Sequence, residues 1–200
     1  MVTILSDYYN DNRKWILLVA KWFLAAMAVG GIAFFIKPNL VDSILGIFQN
    51  KYGDQPVRDI NFAKEIFLQN SLACLIALVG GIIFGISSVL TVFFNGFIIG
   101  FVIMLLVTSL SGNPFHNIEY VVLGLGPHGI FELPAFILAS ALGLRLGTEW
   151  LKSENHGHRW GTLKANAIRV IQSMPLLIIM LLIAAVVEVF VSGSFVESFN

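Results

Sequence analysis

Between Ile66 and Leu144 the chain carries two carboxylates, Glu119 and Glu132, and no lysine or arginine. A stretch this long and this poor in charge cannot face water throughout, and about 20 apolar residues suffice for a helix to cross the hydrocarbon of a bilayer. The whole chain is of the same kind: of its 200 residues 57% are apolar and 12% charged, with a mean hydropathy of +0.84, well beyond a soluble domain. The expected fold class is all-α, a polytopic transmembrane helical bundle that forms one integral membrane domain over residues 1–200. The lipid bilayer is its first partner and the cell membrane its location. A formal net charge of zero gives no electrostatic case for nucleic acid. Cys74 is the one cysteine, which excludes an internal disulfide and every multi-cysteine metal motif.

Five spans are expected. Residues 15–36 form the first, between Arg13 and Lys14 on one side and Lys37 and Pro38 on the other, with Trp15 and Trp22 near the interface. Lys21 reaches the head groups by snorkelling. No small-residue cleavage site follows this segment, so it reads as retained. Residues 39–64 read as an amphipathic helix, with Val41, Ile44, Leu45, Ile47 and Phe48 at helical spacing, and then a turn-rich loop. Asn61 is the expected cap of the next helix. Residues 67–88 and 89–110 form the second and third spans, divided at Ser87, Ser88 and Thr91. Residues 118–147 form a fourth span, discontinuous near Pro127 and Pro134 because proline removes a backbone donor and crowds the preceding turn. Residues 148–172 read as a polar loop and helix, and residues 174–191 as the fifth span. Arg13, Lys14, Arg145, Lys152, Arg159, Lys164 and Arg169 outnumber Lys37, Lys51, Arg58 and Lys64 on the opposite side, favouring a cytoplasmic N-terminus.

Polar residues inside such spans need a reason, because an ionisable group in lipid is costly. His128 and Glu132 are four residues apart between the two prolines, so on a helix they share a face at roughly 6 Å. They can share a proton, hold a divalent metal ion with a further ligand, or satisfy each other and the backbone groups that the prolines free. Glu188, deep in the last span, is either hydrated at the outer interface or a partner of that pair. Asn70 and Asn95 are helix-embedded amides suited to interhelical hydrogen bonds, and Arg145 reads as an interface anchor. Arg145 lies about 20 Å along an ideal helix from Glu132, too far for the two to pair. Gly81-Ile-Ile-Phe-Gly85, Gly96-Phe-Ile-Ile-Gly100 and Gly143-Leu-Arg-Leu-Gly147 have the small-xxx-small spacing of closely approaching helices, and contact within one chain is the expected use. His156 and His158 read as solvated. No His-Glu-x-x-His, Gly-x-Ser-x-Gly or phosphate-binding loop is present, so an enzyme is the minority class.

Phe67-Leu-Gln-Asn70, the Gly81 and Gly85 pair, Phe94-Asn95-Gly96 with Gly100, Gly126-Pro-His-Gly-Ile-Phe-Glu-Leu-Pro-Ala135, Gly143-Leu-Arg-Leu-Gly147 and Ala184-Ala-Val-Val-Glu188 occur in the order that resembles the stage II sporulation protein M family. The likeness runs from about Phe67 to Val189. It implies a polytopic membrane protein without catalytic activity, a scaffold for partners that include cell-wall hydrolases, with a homodimer as the expected assembly. Asn70, Asn95, Gly96, His128, Glu132, Arg145 and Glu188 are the matching polar and small positions. The competing reading is a transporter, channel or metal-binding protein with its site at His128, Glu132 and Glu188; a third, an intramembrane metal hydrolase, has too few visible ligands.

Overall fold

The computed structural model describes residues 2–37, 39–43, 46, 59–109, 114–155 and 157–192; within these, the side chains of residues 2–8, 109, 114–116, 120, 123–125, 128, 153 and 192 are not described. The described residues are helical and contain no strand. Helix α1 is Val2–Ile36, α2 Ile60–Val79, α3 Ile86–Ser109, α4 Pro114–Thr148 and α5 Arg159–Val187. Five stretches are long and apolar enough to cross a membrane, Tyr9–Ile36, Ile60–Ile82, Ile86–Thr108, Gly129–Leu151 and Arg159–Val191. The protein is a multi-pass helical membrane bundle.

Each helix turns an apolar face outward, with Leu24, Phe35, Leu72, Phe94 and Ile179 all exposed. Lipid solvates those side chains, so burial inside the bundle falls to a narrower set: Val19, Phe23, Leu78, Val92, Phe101 and Leu142 are almost fully enclosed. Small residues let the backbones close on that core. A Cβ at Gly100 would collide with the Met27 carbonyl, one at Gly30 with the Phe97 carbonyl, and one at Gly96 would lie 2.7 Å from the Phe23 carbonyl oxygen. Since 23 meets 96 and 27 meets 100, α1 and α3 run parallel. Likewise a Cβ at Gly143 would strike the Ala77 carbonyl, and Gly81 and Gly147 lie against each other's segments, so α2 and α4 also meet backbone to backbone. All three small-xxx-small motifs therefore serve contacts within the chain.

The turn between α2 and α3 lies earlier than Ser87. A 3-10 turn at Gly80–Ile82 follows α2, and the chain reverses through Phe84 and Gly85, whose φ angles are 54° and 73°. That left-handed geometry costs glycine little and other residues more. The serines instead begin α3 and satisfy the end of α2: Ser87 Oγ donates to the Ile76 carbonyl at 2.9 Å and Ser88 Oγ to the Ala77 carbonyl at 2.6 Å. Thr91 Oγ1 donates back to the Ser87 carbonyl at 2.7 Å. Their hydroxyls resemble turn chemistry in the sequence and act as helix-end donors in the fold.

The fourth span is not broken. α4 continues through Pro127 and Pro134 as one 35-residue helix. Each proline removes a single hydrogen bond, whereas interrupting the helix in lipid would orphan several backbone groups. Both prolines lie in the interior of this helix. The helix expected within residues 148–172 and the fifth span are one continuous helix, Arg159–Val187, with Pro175 in its interior. Asp59, rather than Asn61, caps α2, its carboxylate accepting from the Phe62 N–H at 2.9 Å, while Asn61 Nδ2 donates to the other carboxylate oxygen at 3.0 Å. These two donors hold the Asp59 carboxyl below its ordinary value of 3.8. Residues 40–43 and Gly46 are helical, as the amphipathic pattern predicts, but Ile44, Leu45, Ile47 and Phe48 lie outside the described residues.

The antiparallel and parallel pairings sort the helix ends onto two faces. One face collects the start of α1, the turn at 83–85, the end of α4 and the start of α5. The other collects the end of α1, the start of α2, the end of α3 and the start of α4.

Candidate functional site

The bundle holds a half-open cavity of about 480 Å³ lined from all five helical spans: Met27 of α1, Gln69 and Asn70 of α2, Ile98 and Val102 of α3, Glu132 of α4 and Glu188 at the end of α5 are among its walls. Position along the helices produces this convergence. Antiparallel α4 and α5 bring the Glu132 and Glu188 carboxyls to the walls of the same cavity. At Glu188 the helix widens into a five-residue π turn, Glu188–Ser192, and the Glu188 N–H is shared between the Ala184 and Ala185 carbonyls. Such widened turns recur at functional sites, and this one packs on α4. Asn70, Glu132 and Glu188 line this one cavity together.

A smaller hollow of about 20 Å³ adjoins it, with Asn70, Glu132 and Leu133 in both walls and Cys74, Asn95, Phe136 and Leu181 on its far side. Asn95 Nδ2 donates to the Thr91 carbonyl of its own helix at 2.9 Å, so it lines the hollow while stabilising α3. Gly96 serves packing against Phe23. The wall is otherwise aliphatic, which makes the carboxyl pair and its amides a polar patch in a low-dielectric surround. Such a patch can hold a cation or a proton.

His128 occupies α4 one turn before Glu132, but its side chain, and with it the sequence-predicted His128–Glu132 pairing, lies outside the described residues, as does His156. Among the described residues no group of three or more histidine, cysteine, aspartate or glutamate side chains is placed to hold a metal ion.

Arg145 belongs to a second polar centre at the opposite face. Only 7% of its side chain is exposed, and it is ringed by acceptors: Nη1 meets Asp11 Oδ2 at 2.9 Å and Asn12 Oδ1 at 2.8 Å, and Nε meets Glu149 Oε2 at 2.7 Å. Arg169 Nε shares the same Asp11 oxygen at 2.9 Å, and Lys14 approaches Glu149 at 3.8 Å. This network ties α1, α4 and α5 together. Arg145 is thus more than an interface anchor. Sequence reasoning has no handle on Asp11, Asn12 or Arg169 as its partners, because α1 and α4 are brought together by the fold across more than a hundred residues; only the lone arginine in an apolar run signals that something must meet it.

The stage II sporulation protein M family model matches residues 16–193. The chain belongs to this family. The match takes in α1 as well as the segment from Phe67 onward, so the first helix is part of the family's fold rather than an addition to it. An uncharacterized protein of Methanocaldococcus jannaschii is 31% identical over 124 residues, covering 62% of this chain and 65% of that relative. The chain thus spans somewhat less than two thirds of that relative's length. No solved structure matches.

Proposed function

We propose that this family member is a non-enzymatic membrane component that holds partner proteins in the bilayer, the role that likeness to the sporulation protein M family implies. The observation that supports this most is how firmly the helices are fixed to one another. Glycine contacts join α1 to α3 and α2 to α4 without intervening side chains, and the Arg145 network joins α1, α4 and α5. A frame of that kind suits presenting fixed surfaces better than it suits rocking halves. Its partners on this reading are membrane proteins or cell-wall hydrolases, and its own working form is a homodimer. The face carrying Arg13, Lys14, Lys152, Arg159 and Lys164 is assigned to the cytoplasm, and an impermeant maleimide should leave Gly157→Cys unlabelled in intact cells.

Photo-crosslinking of the tagged chain in its native membrane, followed by extraction in mild detergent and mass spectrometry, tests the scaffold role. A partner recovered in stoichiometric amount together with a dimeric mass is the expected result. A monomer that captures nothing would remove the reading.

The cavity supports a second reading, that of a transporter, channel or metal-binding protein. Glu132 and Glu188 converge there with Asn70, as ion and solute sites in transporters gather helix-borne carboxyls. Metal content of His128→Ala and Glu132→Ala beside the parent, with proteoliposome flux, decides it: no metal and no flux leaves the scaffold alone.

A further inference from the structure

We infer that the cavity shared by the five spans binds an organic cation with an aliphatic body, a primary amine whose ammonium group is held by Glu132 and Glu188. The inference deepens the second reading above and rests on the same cavity.

Its walls divide into two chemistries. At one end stand the carboxyls of Glu132 and Glu188 with the amides of Asn70 and Gln69, and no lysine or arginine lines the cavity. An ammonium carries three N–H donors and no acceptor. Glu132, Glu188 and the amide oxygen of Asn70 offer three acceptors on three different helices. Two carboxyls close together in a low dielectric favour a cation between them, because attraction is strengthened there in the same proportion as repulsion. Away from that end, Ile98, Val102 and Ile103 of α3 face Val121 and Val122 of α4, a surface without hydrogen-bonding side chains.

Size decides between a bare ion and a larger ligand. The volume of about 480 Å³ falls within the range of roughly 300–1,000 Å³ typical of small-molecule sites. A metal ion would occupy one corner, leave the aliphatic walls unused, and ask for three or four ligands, which the described residues do not supply as acidic, histidine or cysteine groups. An alkyl chain several carbons long uses both halves: its ammonium meets the carboxyls and its methylenes meet the valines and isoleucines, withdrawn from water. The same chemistry is available from a soluble alkylamine and from the amine headgroup of a membrane lipid.

Octylamine is the probe, and octanol, with the same body and no charge, is its control. The purified full chain is placed in phosphatidylcholine nanodiscs, and binding is read by displacement of tritiated octylamine and by the shift in thermal unfolding. Saturable octylamine binding that octanol does not displace is expected. Glu132→Gln combined with Glu188→Gln should weaken it at least tenfold, as should Val102→Phe, which fills the aliphatic half without touching a carboxyl. Unfolding curves for both variants separate lost binding from lost folding. Replacing part of the phosphatidylcholine with phosphatidylethanolamine identifies the source: competition assigns the site to an aminolipid, and none assigns it to a soluble amine. Equal displacement by octanol, or unchanged affinity in either folded variant, would overturn the inference. Should the parent instead bind a metal that is lost in Glu132→Ala while octylamine fails to bind, this inference falls and the second reading stands; failure of both ligands removes both.

Discussion

Gly143→Val is expected to leave little folded protein in the membrane. A Cβ at this position would fall on the Ala77 carbonyl and lie 2.6 Å from Ser88 Oγ and 2.9 Å from Leu78 Cα, so α2 and α4 must separate before any larger side chain fits. The obstacle is backbone, which cannot rotate away as a side chain can. Overpacking a core typically costs ~1–3 kcal/mol, and a contact limited by main-chain atoms should sit at the top of that range or above it. Separation would also break the Ser88 bond to the Ala77 carbonyl, which seals the end of α2. Gly161→Ala is the control, because a Cβ there meets nothing within 4 Å; it should be neutral or raise stability by up to ~1 kcal/mol through helix propensity. Size-exclusion profiles and thermal unfolding of the two variants in one detergent check the contrast. A Gly143→Val protein that melts with the parent would contradict the described α2–α4 contact.

Arg145→Ala should be the most damaging loss of a single charge. Removing one partner of a buried ion pair typically costs 3–5 kcal/mol because the other charge is stranded, and here Glu149, with 14% of its side chain exposed, would keep only Lys14 at 3.8 Å. Asp11 suffers less, since it is 46% exposed and retains Arg169 at 2.9 Å. The expected cost is therefore about 3 kcal/mol, near the lower end. Pairing Arg145→Met with Glu149→Leu removes both buried charges and should recover a large part of the loss, a non-additivity that a double-mutant cycle measures directly. Arg145→Lys keeps the charge but not the forked geometry that meets Glu149 through Nε and Asp11 through Nη1, so it should fall between parent and alanine. If the double variant is no better than the sum of its parts, the network does not act as a unit.

Much of this architecture is legible in the sequence for a physical reason: a span must hide every backbone group, so apolar length reports it directly. All five spans are readable on that basis, whereas the helix ends follow polar residues that find partners only in the fold. Arg13 and Lys14 mark the start of the first span in the sequence, but its helix runs on through Asp11 and Asn12, which meet Arg145. Ser87 and Ser88 look like a turn because their bonds run to α2 carbonyls that only the folded hairpin brings near. Pro127 and Pro134 look like a break because local chemistry disfavours them in a helix, while the bilayer penalises the break more. Asn70, Glu132 and Glu188 could be singled out one by one as polar groups in lipid. That they share one cavity follows from the antiparallel register of α4 and α5, which no local pattern encodes.

The account depends most on that convergence of Glu132 with Glu188. In a Cys74→Ala background, Glu132→Cys together with Glu188→Cys should be joined within a single chain, in native membranes, by a short bifunctional methanethiosulfonate, while Glu132→Cys paired with Lys152→Cys at the opposite face should not. Absence of the first cross-link, with both thiols shown to react singly, would mean that the two carboxyls do not meet and that the cavity is not the bundle's polar centre.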